Sequence, residues 1–121
     1  MKLEKFEDLN SWQEARLLNN MVYKLTQKLH KADFDLMRQM RRCSISIMAN
    51  IAEGFGRYSF KDKKQFFTMA RGSIAELKSH CYAALDLRYF TKEEFTQIYK
   101  QSETVGKLIS GMIRATKTNE Q

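Results

Sequence analysis

The side chains best suited to chemistry are few: two histidines, His30 and His80, and two cysteines, Cys43 and Cys81. A di-iron carboxylate centre needs Glu-x-x-His on two helices, and neither histidine has a glutamate three residues earlier. Glu76 and His80 stand four apart, where a hydrogen bond along one helix face accounts for them without a metal. The chain holds no H-E-x-x-H, no G-x-x-x-x-G-K-[ST] and no G-x-S-x-G, and Gly54-x-Gly56 lacks the third glycine of a dinucleotide loop. The cysteines have no C-x-x-C spacing and read as reduced core residues. These patterns predict no metal, no cofactor and no enzymatic activity.

The basic side chains offer a different chemistry. Twenty-one Lys and Arg against 14 Asp and Glu give a net charge of +7, a balance that suits an anionic partner and equally suits solubility. Arg38, Arg41 and Arg42 cluster within two helical turns, and Arg57, Lys61, Lys63 and Lys64 follow. Phe55, Tyr58 and Phe60 interleave with the second group, as in surfaces that stack unpaired bases beside cations. The competing reading packs those aromatics into a loop and leaves the charges to solvate its rim.

The elements that position these residues read as helices. Proline is absent from all 121 residues, which favours long uninterrupted helices. Apolar residues recur in steps of three and four: Trp12, Ala15, Leu18, Val22, Leu25, Leu29; then Leu36, Met40, Cys43, Ile47, Ile51; then Phe67, Ala70, Ile74, Leu77, Cys81, Ala84; then Phe95, Ile98, Val105, Ile109, Met112. Ser11 with Glu14, Ser59 with Asp62 and Thr91 with Glu94 fit helix starts, while Gly54 and Gly56 fit a left-handed helix stop. The spacing predicts one all-α domain over residues 1–121, with helices at about 11–30, 35–54, 60–89 and 92–116. Short loops between them imply an antiparallel up-down-up-down four-helix bundle, left-handed, with crossing angles near 20°. No signal-peptide pattern or membrane-spanning run is present, so a cytoplasmic location is expected.

A lone bundle needs one apolar stripe per helix. The second helix carries another, Ile45, Ala49 and Ala52, and the third carries a ridge of small residues, Gly72, Ala75, Ser79 and Ala83. Such ridges suit close helix approach between subunits, and they equally suit alanine as a helix former on an exposed face. Gly72 costs about 1 kcal/mol relative to alanine in mid-helix, which favours a homo-oligomer.

Asn50-Ile51-Ala52-Glu53-Gly54-Phe55-Gly56-Arg57 is the densest local motif, joined by Ala70-Arg71-Gly72-Ser73 and Glu76-Leu77. With Phe6-Glu7-Asp8-Leu9, Trp12-Gln13 and Leu108-Ile109-Ser110-Gly111, it resembles the four-helix-bundle family named for proteins encoded within intervening sequences of bacterial 23S rRNA genes. The resemblance implies a bundle that assembles as a five-fold ring, with no established biochemical activity for the main branch. A similar branch comprises basic accessory proteins of diversity-generating retroelements, thought to engage reverse transcriptase and nucleic acid. Relatives often carry proline where this chain has Met48. Within the motif, Glu53 at a helix C-terminus opposes the helix dipole and calls for Arg57, Arg71 or both as partner, while Asn50 is placed to cap a backbone group across the seam. Arg57 and its neighbours either fix this corner or bind an anion. The expected function is non-catalytic binding of structured RNA or a ribonucleoprotein by an oligomer; the alternative is a ring-forming protein scaffold, a reverse-transcriptase accessory among its forms.

Overall fold

A computed structural model describes residues 3–119. A 3-10 turn at Phe6–Asp8 precedes α1 (Asn10–Thr26), the single turn α2 (Leu29–Ala32), α3 (Phe34–Phe55), α4 (Phe60–Asp86) and α5 (Lys92–Asn119). The described residues are helical with no strand. The four long helices close a circuit, α1 against α3, α3 against α4, α4 against α5, and α5 back against α1.

The core sits inside that circuit and is built from the heptad-like stripes. Leu18, Val22, Met40, Ile47, Ile51, Leu77, Cys81, Ile98, Val105 and Ile109 are all buried. Trp12, Leu25, Phe95 and Met112 pack on its margin. Cys43 and Cys81 are buried free thiols, and burial pushes both up to about 12.

The helix starts divide. Thr91 and Glu94 form a reciprocal capping box, the Thr91 N–H donating to Glu94 Oε1 at 2.9 Å and the Glu94 N–H to Thr91 Oγ1 at 3.1 Å. Ser59 Oγ accepts from the Asp62 N–H at 3.1 Å and caps α4. Ser11 caps nothing: α1 begins one residue earlier, with Leu9 as N-cap, and the buried Ser11 hydroxyl donates to Met112 Sδ. The expected first helix is also broken at Gln27-Lys28. There Arg41 takes the Tyr23 carbonyl, and the Thr26 hydroxyl bonds back to the Val22 carbonyl at 2.6 Å; both compete with the helix for its last acceptors.

Two stops differ from expectation. Neither Gly54 nor Gly56 has a positive φ; Gly56 caps α3 at φ −79°. Gly54 is required by space, since a Cβ there would meet Phe67. The α4 helix ends at Asp86 because Arg88 adopts φ 63°. That left-handed residue turns the Tyr89 and Phe90 N–H groups onto the Ala84 carbonyl and buries Phe90.

Candidate nucleic-acid interface

The 22 residues of α3 span about 33 Å at 1.5 Å per residue, and this length divides the predicted basic patch. Arg38, Arg41 and Arg42 lie near its start; Arg57, Lys61, Lys63 and Lys64 follow its end. The first group lines a shallow depression of about 500 Å³ with Tyr23, His30, Phe34, Met37 and Ile45. Within it Arg41 is held in place, donating to Thr26 Oγ1 (3.0 Å), the Tyr23 carbonyl (3.1 Å) and Gln27 Oε1 (3.2 Å). Its guanidinium lies over the Tyr23 ring at 4.5 Å. Arg38 and Arg42 are exposed.

The second group is also partly engaged. Lys63 Nζ donates to the Phe55 carbonyl at 2.7 Å and the Gly54 carbonyl at 3.4 Å, satisfying orphan acceptors at the end of α3. Desolvation lowers its pKa. Arg57 pairs with Glu53 at 3.2 Å across an exposed turn and lies over the Phe66 ring at 4.6 Å. Lys61 is exposed and Lys64 half-buried. Tyr58 is fully exposed.

The motif residues are local fixtures. Glu53 is exposed and takes Arg57; Arg71 lies elsewhere. Asn50 Nδ2 donates within its own helix, to the Ser46 carbonyl (2.9 Å) and Ser46 Oγ (3.0 Å). Ser46 carries the link across the seam, its hydroxyl 3.0 Å from that of Ser73 on α4.

Arg71 belongs to a cleft between α4 and α5 that the sequence reading passed over. The cleft has a volume of about 370 Å³ and is lined by Arg71, Ile74, Ala75, Lys78, Glu103, Gly106, Lys107, Ser110 and Arg114. Among the described lining residues, Arg71, Lys78, Lys107 and Arg114 are cationic and Glu103 is acidic. Lys78 lies 3.9 Å from Glu103 and 4.8 Å from the Tyr99 ring centroid. The signal was present as a seven-residue spacing: Lys64, Arg71, Lys78 on α4 and Lys100, Lys107, Arg114 on α5. Each triplet forms a row of cations along its helix, about 10.5 Å apart in rise. Counting by local density favoured the cluster in α3 and hid these rows.

Two further surfaces stand apart from the charges. Ile45, Ala49 and Ala52 join Phe6, Trp12, Asn19 and Met48 around a shallow apolar depression of about 350 Å³. On α4, Gly72, Ala75 and Ser79 are exposed and Ala83 half-buried; a Cβ on Gly72 would meet nothing within 4 Å. At the α3–α4 seam, Glu76 Oε2 lies 3.3 Å from His80 Nε2, and Cys43 of α3 joins them. No helix among the described residues is long and apolar enough to cross a membrane.

No curated protein matches the chain. A solved structure of a protein with unknown function from the S23 ribosomal protein family, from Bacteroides thetaiotaomicron, is similar at a TM-score of 0.82. The two are 22% identical over 86% of this chain and 95% of that one, and they share the helical fold. The family model described as 23S rRNA-intervening sequence protein matches residues 7–111, nearly all of the four-helix core together with the Asn50–Arg57 motif, and the chain therefore belongs to that family.

Proposed function

We propose that this protein is a non-catalytic, cytoplasmic, oligomeric binder of structured RNA, with the α4–α5 cleft as its main phosphate-contacting surface. The observation that carries this is the convergence of Arg71, Lys78, Lys107 and Arg114 on one concave site, whose described lining includes one carboxylate, Glu103. Lysine and arginine contacts to phosphate supply affinity with little base specificity. Arg38 and Arg42, beside the exposed Phe34 ring, provide a second contact where an unpaired base can stack. Arg57 and Lys61 extend the basic surface at the opposite end of α3.

The same reading takes the four long helices as an up-down-up-down antiparallel bundle with a left-handed twist. The antiparallel order is supported by contacts pairing Ser11 with Met112 and Lys28 with Glu94, and by Gly54 against Phe67 and Gly106 beside Ile74. A ring, such as the five-fold one the family resemblance implies, needs two different patches meeting head to tail. The Ile45-Ala49-Ala52 face and the Gly72-Ala75-Ser79-Ala83 ridge are two such patches on different helices. Ala75 is common to the ridge and the cleft, so a partner on the ridge borders the cations, and repetition around a ring raises affinity by avidity.

Fluorescence anisotropy with structured RNA, single-stranded RNA and duplex DNA, titrated across salt, tests the RNA reading. Wild type should bind structured RNA at micromolar or tighter Kd. The double variant Arg71→Ala/Lys107→Ala should weaken binding uniformly and reduce the slope of log K against log salt by about 1.5–2. Equal binding by that variant at physiological salt sinks the assignment of the cleft. A second reading rests on the apolar Phe6-Trp12-Ile45-Met48 depression: a protein-interaction scaffold, including a reverse-transcriptase accessory, in which charge is incidental. Light scattering that shows an oligomer, with no salt-sensitive nucleic-acid binding, favours it.

A further inference from the structure

At the α3–α4 seam, away from the α4–α5 cleft, Cys43 Sγ, a Glu76 carboxylate oxygen and a His80 ring nitrogen all lie within 4.8 Å of one another. From the juxtaposition of these three groups we propose a site for one Zn²⁺ or similar borderline-soft divalent ion. The donor set carries the argument. Thiolate and imidazole together select zinc-like ions over Mg²⁺ or Ca²⁺, which take oxygen ligands. Zinc holds sulfur at about 2.3 Å, nitrogen at about 2.0–2.1 Å and oxygen at about 2.0–2.2 Å. Tetrahedral geometry then sets the donors about 3.3–3.7 Å apart. The Glu76–His80 pair already stands at 3.3 Å, and closing the rest of the triangle asks for about one ångström of side-chain movement.

Placement favours the same conclusion. Glu76 and His80 are four residues apart on α4, so they share a face, and Cys43 enters from α3. A metal here staples the two helices. Cys43 forms the buried floor, His80 is half-buried, and Glu76 opens to solvent, which leaves an entry path and a fourth position for water. The charges also close: thiolate and carboxylate contribute −1 each and neutral imidazole none, so Zn²⁺ leaves the seam uncharged. Binding forms a Zn–S bond and releases the Cys43 thiol proton to solvent, with no change of oxidation state. Without metal, Cys43, then His80, acting as hydrogen-bond partners of Glu76, hold its carboxyl below its ordinary range. Burial, then Glu76, pushes the Cys43 thiol up to about 12 against a smaller opposing pull from the Arg42 guanidinium, so the metal must displace that proton. Cys81 is the other thiol nearby.

Untagged full-length protein titrated with Co²⁺, then with Zn²⁺ in competition against a chromophoric indicator, decides the matter. One metal per chain at micromolar or tighter Kd is expected, with the near-ultraviolet thiolate-to-cobalt charge-transfer band. Cys43→Ser should abolish the band. Glu76→Gln and His80→Gln, at more exposed positions that spare the fold, should each weaken binding at least tenfold, roughly what even outer-sphere partners of a metal site contribute; Cys81→Ala should keep the band. A wild type without that band, Glu76→Gln and His80→Gln variants that bind as tightly as wild type, or a band lost only in Cys81→Ala overturns the site.

Discussion

Gly54 of α3 packs directly against Phe67 of α4: a Cβ built on Gly54 would lie 2.6 Å from Phe67 Cε1, 2.8 Å from Cδ1 and 3.1 Å from Phe66 Cβ. Phe67 is only 5% exposed, so its ring would have to shift within a packed corner. Gly54→Ala should therefore destabilise by about 1–3 kcal/mol through overpacking, despite alanine's better helix propensity. Urea unfolding followed by circular dichroism reads this directly; an unchanged midpoint means the corner yields.

Gly72 presents the opposite case on the same helix as Phe67. A Cβ there would stand in open space, so alanine should stabilise the isolated chain by about 0.5–1 kcal/mol. If the small-residue ridge is a subunit contact, the same methyl group obstructs it. Gly72→Ala should then raise the thermal midpoint at low protein concentration and weaken association in sedimentation. A variant that gains stability and associates unchanged removes the ridge from the interface.

Glu94 ties the start of α5 to the end of α1. Its carboxylate accepts from Lys28 Nζ at 2.7 Å and from the Thr91 N–H, and Lys28, then Thr91, hold its pKa below the ordinary value. A depressed folded pKa means this stability is fully present above the unfolded value, about 4.3, and is lost as pH falls through the folded value. Glu94→Gln keeps the capping acceptor and removes the charge. It should cost about 0.2–1 kcal/mol near neutrality, given the exposure of Lys28, with the difference from wild type shrinking toward zero below about pH 4. A gap constant with pH would show that the charge contributes nothing.

Ser102 lies in the apolar stripe of α5, fully buried, and its hydroxyl has no hydrogen-bond partner among the described residues. Burying an unpaired hydroxyl costs about 1–3 kcal/mol, and serine is a weaker helix former than alanine. Ser102→Ala should stabilise by about 1 kcal/mol, seen as a higher denaturation midpoint with unchanged slope. Destabilisation would mean that the hydroxyl has a partner, such as a buried water.

The helical stripes were legible because seam positions repeat in steps of three and four whatever their chemistry. Ser102 took its core position as readily as Ile98, and Cys43 as readily as Ile47. Helix ends were legible only where the cap is made within one element: Thr91 with Glu94 succeeded, and Ser59 succeeded. Ser11 failed because Met112, 101 residues away, competes for its hydroxyl, and Arg88 gave no sign that it would take the left-handed turn usually left to glycine. Site residues depend on long-range neighbours even more. Lys63 and Arg41 looked like surface cations until the carbonyls of Phe55 and Tyr23 were placed beside them. Arg71 and Lys107 line one cleft only when α4 and α5 are packed, and Cys43 reaches Glu76 and His80 only across the α3–α4 seam.

Arg41 separates a binding role from a structural one. Its three hydrogen bonds to Tyr23, Thr26 and Gln27 and its stack on Tyr23 hold the point where α1 breaks. Charged donors of this kind contribute about 1.5–3 kcal/mol. Arg41→Ala should lose about that much in urea unfolding, whereas Arg38→Ala, at an exposed position one turn earlier, should stay within about 0.5 kcal/mol of wild type. Loss of RNA affinity in an Arg41 variant would then report damage to the α1–α3 corner as much as lost phosphate contact, while loss in Arg38→Ala at unchanged stability reports contact alone. Equal stability of the two variants would show that Arg41 pins nothing, returning it to the set of cations available to a ligand.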